Sequence, residues 1–329
     1  MTRAAAITLI AALGLLLLAA ASLAAGSVWL TPSQILHAFA ADKTDLARLI
    51  VVELRLPRLV LAMLIGAALG LCGAVLQGLL RNPLADPALL GISSGAALGA
   101  VIAIYFGLTA QFAYAAPVLG LVGALGAAGL TFLFGRGGTL SLILAGAAVS
   151  SLAGAGLSLA LNLAPNASGA YEIMTWLMGS LTDRSWDHVI LAAPFMVAGA
   201  AILLTTGRSL DALSLGETQA ESLGIDLNRL RLLVLIGVSL CVGAASAVAG
   251  AIGFVGLVSP HLVRPFVGHQ PSRTLLPSAL FGAALLTAAD IGSHLLRYNG
   301  VEIKLGVFTA LLGAPFFFWL VVRLPRTAP

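Results

Sequence analysis

Charge is what this sequence has least of: Asp, Glu, Lys and Arg make up 9% of its 329 residues, against about 25% in a typical soluble chain. A soluble fold cannot cover its surface with so few charges, so most of the surface must face lipid or another apolar partner. Hydrophobic residues reach 60% and the mean hydropathy is +1.05. That much apolar area to bury excludes disorder as well. Lysine is confined to Lys43 and Lys304. Neither stands in G-x-x-x-x-G-K-[ST], so the chain has no loop of that kind to cradle ATP phosphates. There is no H-E-x-x-H and no Cys/His cluster, which removes the common zinc sites. The two cysteines, Cys72 and Cys241, lie in apolar segments and read as small core hydrophobes. The basic residues are scattered singly, with no stripe to track a nucleic-acid backbone.

What the sequence does have is a series of apolar runs near the roughly 20 residues that a spanning helix needs. The first, residues 4–30, outlasts the roughly 7–15 residues of a signal-peptide core and reads as a retained helix. A polar stretch at 31–58 is taken as an external connector, and runs follow at 59–80, 89–106, 114–134 and 140–163. Residues 164–187 are too polar for a clean span. They read as a short helix lying on a membrane face or re-entering it. Runs at 189–206, 230–249, 256–267, 275–296 and 305–322 bring the total to ten, counting the short 256–267 segment. A polar insert, 208–226, interrupts the series. The expected fold is therefore all-α: a polytopic membrane protein, one transmembrane domain over 1–329, with both termini on one side. Cytoplasmic termini place ten of the 17 basic residues inside and seven outside, the direction the positive-inside rule favours.

Glycines recur every fourth residue at Gly66/Gly70 and Gly91/Gly95/Gly99, a spacing that lets helix backbones approach closely. The segments "RLVLAMLIGAAL" (58–69) and "RLRLLVLIGVSL" (229–240) match at seven of twelve positions. Five spans separate their starts, so the copies would run in opposite directions, as in inverted-repeat transporters. Intramembrane acids, the usual mark of proton or sodium coupling, are scarce: only Glu172 and Asp290 come near a span.

Three polar islands remain. Arg55 and Arg58 are three apart, which on a helix puts both guanidiniums on one face, aimed outward and open to carboxylates. Residues 77–100 carry Pro83 and Pro87, which must break the helix and make a rigid cytoplasmic elbow. The insert carries acids on an amphipathic body that Gly224 terminates; composition alone reads it as a solvated connector.

The R-x-P-R of Arg55–Arg58, "Q...RNPLADPALLG" (77–91), "LGETQAESLGI" (215–225), "GAIGFVGLVSPHLVR" (250–264) and "GAPFFFWL" (313–320) occur together and in order. They closely resemble the permeases of the iron-siderophore, haem and vitamin B12 class of bacterial ABC importers, from Arg55 to Arg323. The resemblance implies a pair of permeases, expected as two copies of this chain, around a central pathway in the inner membrane. Two cytoplasmic ATPases would sit beneath and hold ATP and Mg, so this chain would be non-catalytic and bind no cofactor. A periplasmic binding protein would deliver a bulky metal chelate, a ferric siderophore first, with haem or cobalamin as the other cargoes. Glu217, Ala220 and Gly224 match the coupling helices that fit a groove on the ATPase. Arg55 and Arg58 match external arginines that dock the binding protein, and Asn82, Leu84, Thr139 and Leu140 match the cytoplasmic gate. The sequence departs from the family where His294 replaces a frequent arginine, with Arg297 one turn on as substitute. It departs again where Glu302-Ile303-Lys304 replaces Glu-x-Pro. The pathway is expected to be lined by Ser150, Ser158 and Asn162. An ATP-independent secondary transporter or exporter is the alternative, permitted by the inverted repeat and disfavoured by the scarcity of buried acids. A purely structural anchor needs neither a coupling-like insert nor paired external arginines.

Overall fold

A chain surrounded by lipid tails must satisfy its backbone internally, and each apolar run can do so locally by coiling into a helix. The computed structural model describes residues 3–26, 28–164, 166–298 and 301–323. From the N-terminus, α1 (Arg3–Ala24) leads to α2 (Pro32–Ala40), opened by a Thr31–Gln34 capping box, and α3 (Leu46–Arg48), capped by Asp45. A π-helical turn, Leu49–Arg55, then runs directly into α4 (Leu56–Leu79), so residues 46–79 form one helical run of 34 residues. Helix thus begins inside the stretch expected as a connector. Asp45 caps it, and Val51, on the π turn, is buried with Leu30 and Ala38. Burial of those apolar residues outweighs the charges scattered through the segment.

The chain continues through α5 (Ile92–Tyr105), α6 (Leu108–Gln111), α7 (Ala115–Phe134), α8 (Thr139–Asn162) and α9 (Ala167–Leu177). Next come α10 (Trp186–Thr205), α11 (Gly207–Leu213), α12 (Glu217–Ser222), α13 (Leu227–Ala249), α14 (Val255–Val263), α15 (Pro271–Leu295) and α16 (Leu305–Arg323). Between α15 and α16, β1 (Arg297–Tyr298) and β2 (Val301–Glu302) make a two-residue antiparallel ladder. Among the described residues, seven helical runs are long and apolar enough to cross a bilayer, and α5 and Leu305–Phe318 of α16 are shorter apolar helices. α9, at 11 residues, and α14, at nine, are about 17 and 14 Å long, well short of a hydrocarbon core about 30 Å thick. Counting α14 gives the ten apolar segments expected. The run expected at 89–106 is broken: Pro87–Leu90 is a 3₁₀ turn and Gly91, at φ +75°, starts α5 afresh. Both α5 and α14 are preceded by non-helical chain, at 80–86 and 250–254.

The two copies of the repeat open α4 and α13, which form the centre: 78% of each apolar window is buried, against 17% for α1. Glycine sets how tightly they are clasped. A Cβ added to Gly66 would fall on the Gly282 carbonyl oxygen of α15, and one added to Gly282 would fall on that of Gly66. Gly95 of α5 and Gly123 of α7 stand in the same reciprocal relation. Gly66→Val should therefore wedge α4 from α15 and cost at least about 1–3 kcal/mol. Gly14→Val meets open space and is the control. Equal thermal unfolding of the two variants in detergent would refute close approach as the reason for glycine at 66.

The first and last helices have their outer ends on the same side of the bundle. Near the start of α1, Ile7 packs on Val263 and Val267. At the start of α16, Gly306 donates its N–H to the Gly179 carbonyl, and further along Phe316 meets His261 edge-on at 5.7 Å. α1 starts, and α16 finishes, toward the end of the bundle that carries α11 and α12.

Candidate functional site

At that end, the polar insert is tethered through its acids while most of its side chains stay exposed. Thr139 Oγ1, at the first residue of α8, donates to Glu217 Oε1 at 2.7 Å, and Arg231 Nη2 donates to the same oxygen at 3.1 Å. The Thr139 hydroxyl first, and then the Arg231 charge, hold the Glu217 carboxyl below its ordinary range. It therefore stays ionised to lower pH than an ordinary glutamate. Ala220 is fully buried, and Gly224 stands at φ +82°, where α12 stops. Asp211 makes the second tether. Ser272 donates through its N–H (2.8 Å) and hydroxyl (2.6 Å), and Gln270 through its amide (2.7 Å). Burial pushes the Asp211 carboxyl up, but these donors outweigh it and hold it low. α11 and α12 are thus tied to α8, α13 and α15 at separate points, so a push on them reaches three helices at once. Beside them, Asn82 Oδ1 accepts the Leu84 N–H at 2.9 Å, which shapes the elbow after α4, and Leu140 is 70% exposed.

The opposite end carries a charged cleft of about 450 Å³ walled by the π turn, α15 and the loop before α10. Arg55 donates to the carbonyls of Leu23 (2.6 Å), Ala24 (3.0 Å) and Val28, closing off the last turn of α1. Arg58 turns onto Asp290, with two bonds of 2.9 Å, and onto Glu302. His294 Nδ1 stands 3.4 Å from Glu302 Oε1. The two arginines expected to be open to carboxylates do share one cleft, but the carboxylates on Arg58 are this chain's own. Arg297 lies in β1, and its side chain is outside what the structure describes.

Along α8, Ser150 donates to the Ala88 carbonyl at 3.1 Å, while Ser158 and Asn162 are exposed on the outer face of the single chain. The sequence motifs converge on α14. Arg264 donates to Gln77 at 2.6 Å, a Cβ on Gly73 would fall on the Gly256 carbonyl, and Gly313 packs on the Phe254 side chain. Several partners were not foreseen: Arg231 and Thr139 for Glu217, the Asp211 clamp, and the Asp290–Glu302 pair around Arg58. The nearest of them, Arg231, is 14 residues from Glu217, and no local spacing reports a contact at that range.

The model described as the FecCD transport family matches residues 14–323. The chain is 44% identical over 283 residues to the cobalamin import system permease protein BtuC of Halobacterium salinarum, covering 84% of this chain and 74% of that one. It is 39% identical over 278 residues to the hemin transport system permease protein HmuU of Yersinia pestis, covering 82% of each. A solved structure of a metal-chelate type ABC transporter, in an inward-facing conformation, is similar at a TM-score of 0.88 and 33% identity. The match spans 97% of this chain and 99% of that one.

Proposed function

The chain belongs to the FecCD transport family, and from that premise we propose that it is the membrane-spanning subunit of an ATP-driven importer moving a bulky metal chelate from periplasm to cytoplasm. The observation that carries this reading is the family match from residue 14 to 323, which takes in both the tethered insert and the charged cleft. Relatives named for cobalamin and for hemin are both near 40% identical. Their ligands share a large, rigid, metal-centred body, and that class, ferric siderophores included, is the proposed cargo. The chain itself holds no nucleotide. Two copies pair in the inner membrane, with Ser150, Ser158 and Asn162 of α8 toward the shared pathway and both termini in the cytoplasm. α11 and α12 then face the cytoplasm and rest on a partner ATPase, which binds ATP and Mg. Glu217, Ala220 and Gly224 form the coupling contact, and Asn82, Leu84, Thr139 and Leu140 the gate beside it.

Pull-down of the tagged chain in mild detergent should bring an ATPase subunit at one copy per permease. Uptake of labelled ferric siderophore, haem and cobalamin should cease when ATP is depleted. Uptake that persists without an ATPase would replace this reading with secondary transport. The cleft with Arg55, Arg58, His294 and Arg297 is the proposed seat of the periplasmic binding protein. Association there should weaken steeply between 50 and 300 mM salt, as the Debye length falls below about 10 Å. Salt-independent association would remove the electrostatic basis for that seat.

A further inference from the structure

By sequence, Asp86 belongs to the elbow after α4, but its half-buried side chain is turned toward the bundle. Oδ1 accepts the Ala88 N–H at 3.0 Å, and Oδ2 is turned toward Gly256 at the start of α14. Gly256 packs on Gly73, six residues or about 9 Å inside the end of α4. The Asp86 side chain lines a cavity of about 180 Å³ that it shares with Leu69 of α4, Ser93 of α5, Ser246 of α13 and the extended 250–253 segment. Among the described residues, no basic side chain pairs with Asp86.

Ser246 gives an independent sign that something oxygen-seeking belongs here. It is 7% exposed, and its hydroxyl makes no hydrogen bond within the described chain. Ser239 and Ser259, by contrast, return theirs to the carbonyl four residues earlier, at 2.6 and 2.8 Å. Among the described residues, the Gly250 and Ile252 carbonyls also accept no backbone hydrogen bond. The start of α14 offsets at most about half a charge, so one carboxylate leaves the cavity net negative. A divalent ion would overshoot by a full charge or more, whereas a monovalent ion comes within about half a charge of neutrality.

We propose that this cavity binds one monovalent alkali cation, with Asp86 as its counter-charge and the Ser93 and Ser246 hydroxyls and the 250–253 carbonyls as further oxygen ligands. Interrupted helices supply unwound carbonyls of this kind inside membrane proteins. Here the ion ties the chain before α5 to the chain before α14.

The test is thermal unfolding of the full chain in detergent at fixed ionic strength, replacing choline chloride stepwise with NaCl or with KCl. At least one alkali salt should give a saturable rise in unfolding temperature. Asp86→Asn, which keeps the helix-capping oxygen, should abolish that rise, and Ser246→Ala should move its midpoint at least tenfold higher. If Asp86→Asn does not fold, the Ser93→Ala/Ser246→Ala double variant reads the same site. Equal unfolding in choline and both alkali salts, or an undiminished rise in either Asp86→Asn or the double variant, overturns the proposal. The assay contains neither ATP nor cargo, so its failure leaves the transport reading untouched.

Discussion

Lysine in place of Glu217 should reduce ATP-driven uptake to background, at least about a hundredfold, while the amount of chain in the membrane stays within about twofold. Glu217 accepts from Thr139 at 2.7 Å and from Arg231 at 3.1 Å, and so joins α12 to the starts of α8 and α13. An ammonium there would meet Arg231 and, further off, Arg81, both of which now favour the carboxylate. α12 would swing off its seat. The damage stays local because Asp211 still ties α11 to Ser272 and Gln270. Glu217→Gln keeps an acceptor for Thr139 but drops the charge, and it should fall between wild type and lysine. Because the Glu217 carboxyl is held low, acid should loosen this joint only below the range in which an ordinary glutamate titrates, and wild-type uptake should not titrate through Glu217 near neutrality. The role is lost if the lysine variant transports normally.

Arg58→Ala should be the most destabilising single change, by about 3–5 kcal/mol, the cost of breaking a buried ion pair from one side. Side-chain exposure is 16% for Arg58, 5% for Asp290 and 14% for Glu302. Without the guanidinium, two nearly dry carboxylates face each other. Arg58→Lys keeps the charge but not the planar fork that reaches both acids, and it should recover only part of the loss. Adding Asp290→Asn to Arg58→Ala should recover more, since it removes the orphaned charge. The measurement is thermal unfolding in detergent, with no binding protein present. An Arg58 needed only for docking would melt like wild type after truncation, and that result would sink the structural role.

The transmembrane architecture is legible because lipid rewards one pattern, the apolar run, and the ends of α7, α8, α10 and α13 fall within about three residues of the ends of those runs. Legibility failed where tertiary burial overrode local polarity. The helix from Leu46 carries the apolar run Leu49–Val52 inside a stretch broken by charges at Asp42, Lys43, Asp45, Arg48, Glu53 and Arg55, and its driving contacts, Val51 with Leu30 and Ala38, come from chain up to 21 residues away. Asp86 failed for a related reason. Its neighbours Asn82, Pro83 and Pro87 announce an elbow, but nothing local says that the elbow folds back into the bundle to meet Gly256. The site motifs were visible as words and not as contacts. Gln77 reaching Arg264, or Arg58 reaching Asp290 across 232 residues, is a product of how the helices cross.

The π turn at Leu49–Arg55 amounts to a helix carrying one residue more than its pitch needs. Trimming a single residue there would rewind it to ordinary pitch and rotate everything upstream by about 100° about the α4 axis. Val51 would leave its socket, and the π-turn carbonyl of Val52, which now receives the Trp186 indole N–H at 2.9 Å, would face elsewhere. The residue count of this short stretch therefore fixes the azimuth of the entire N-terminal collar, α1 included.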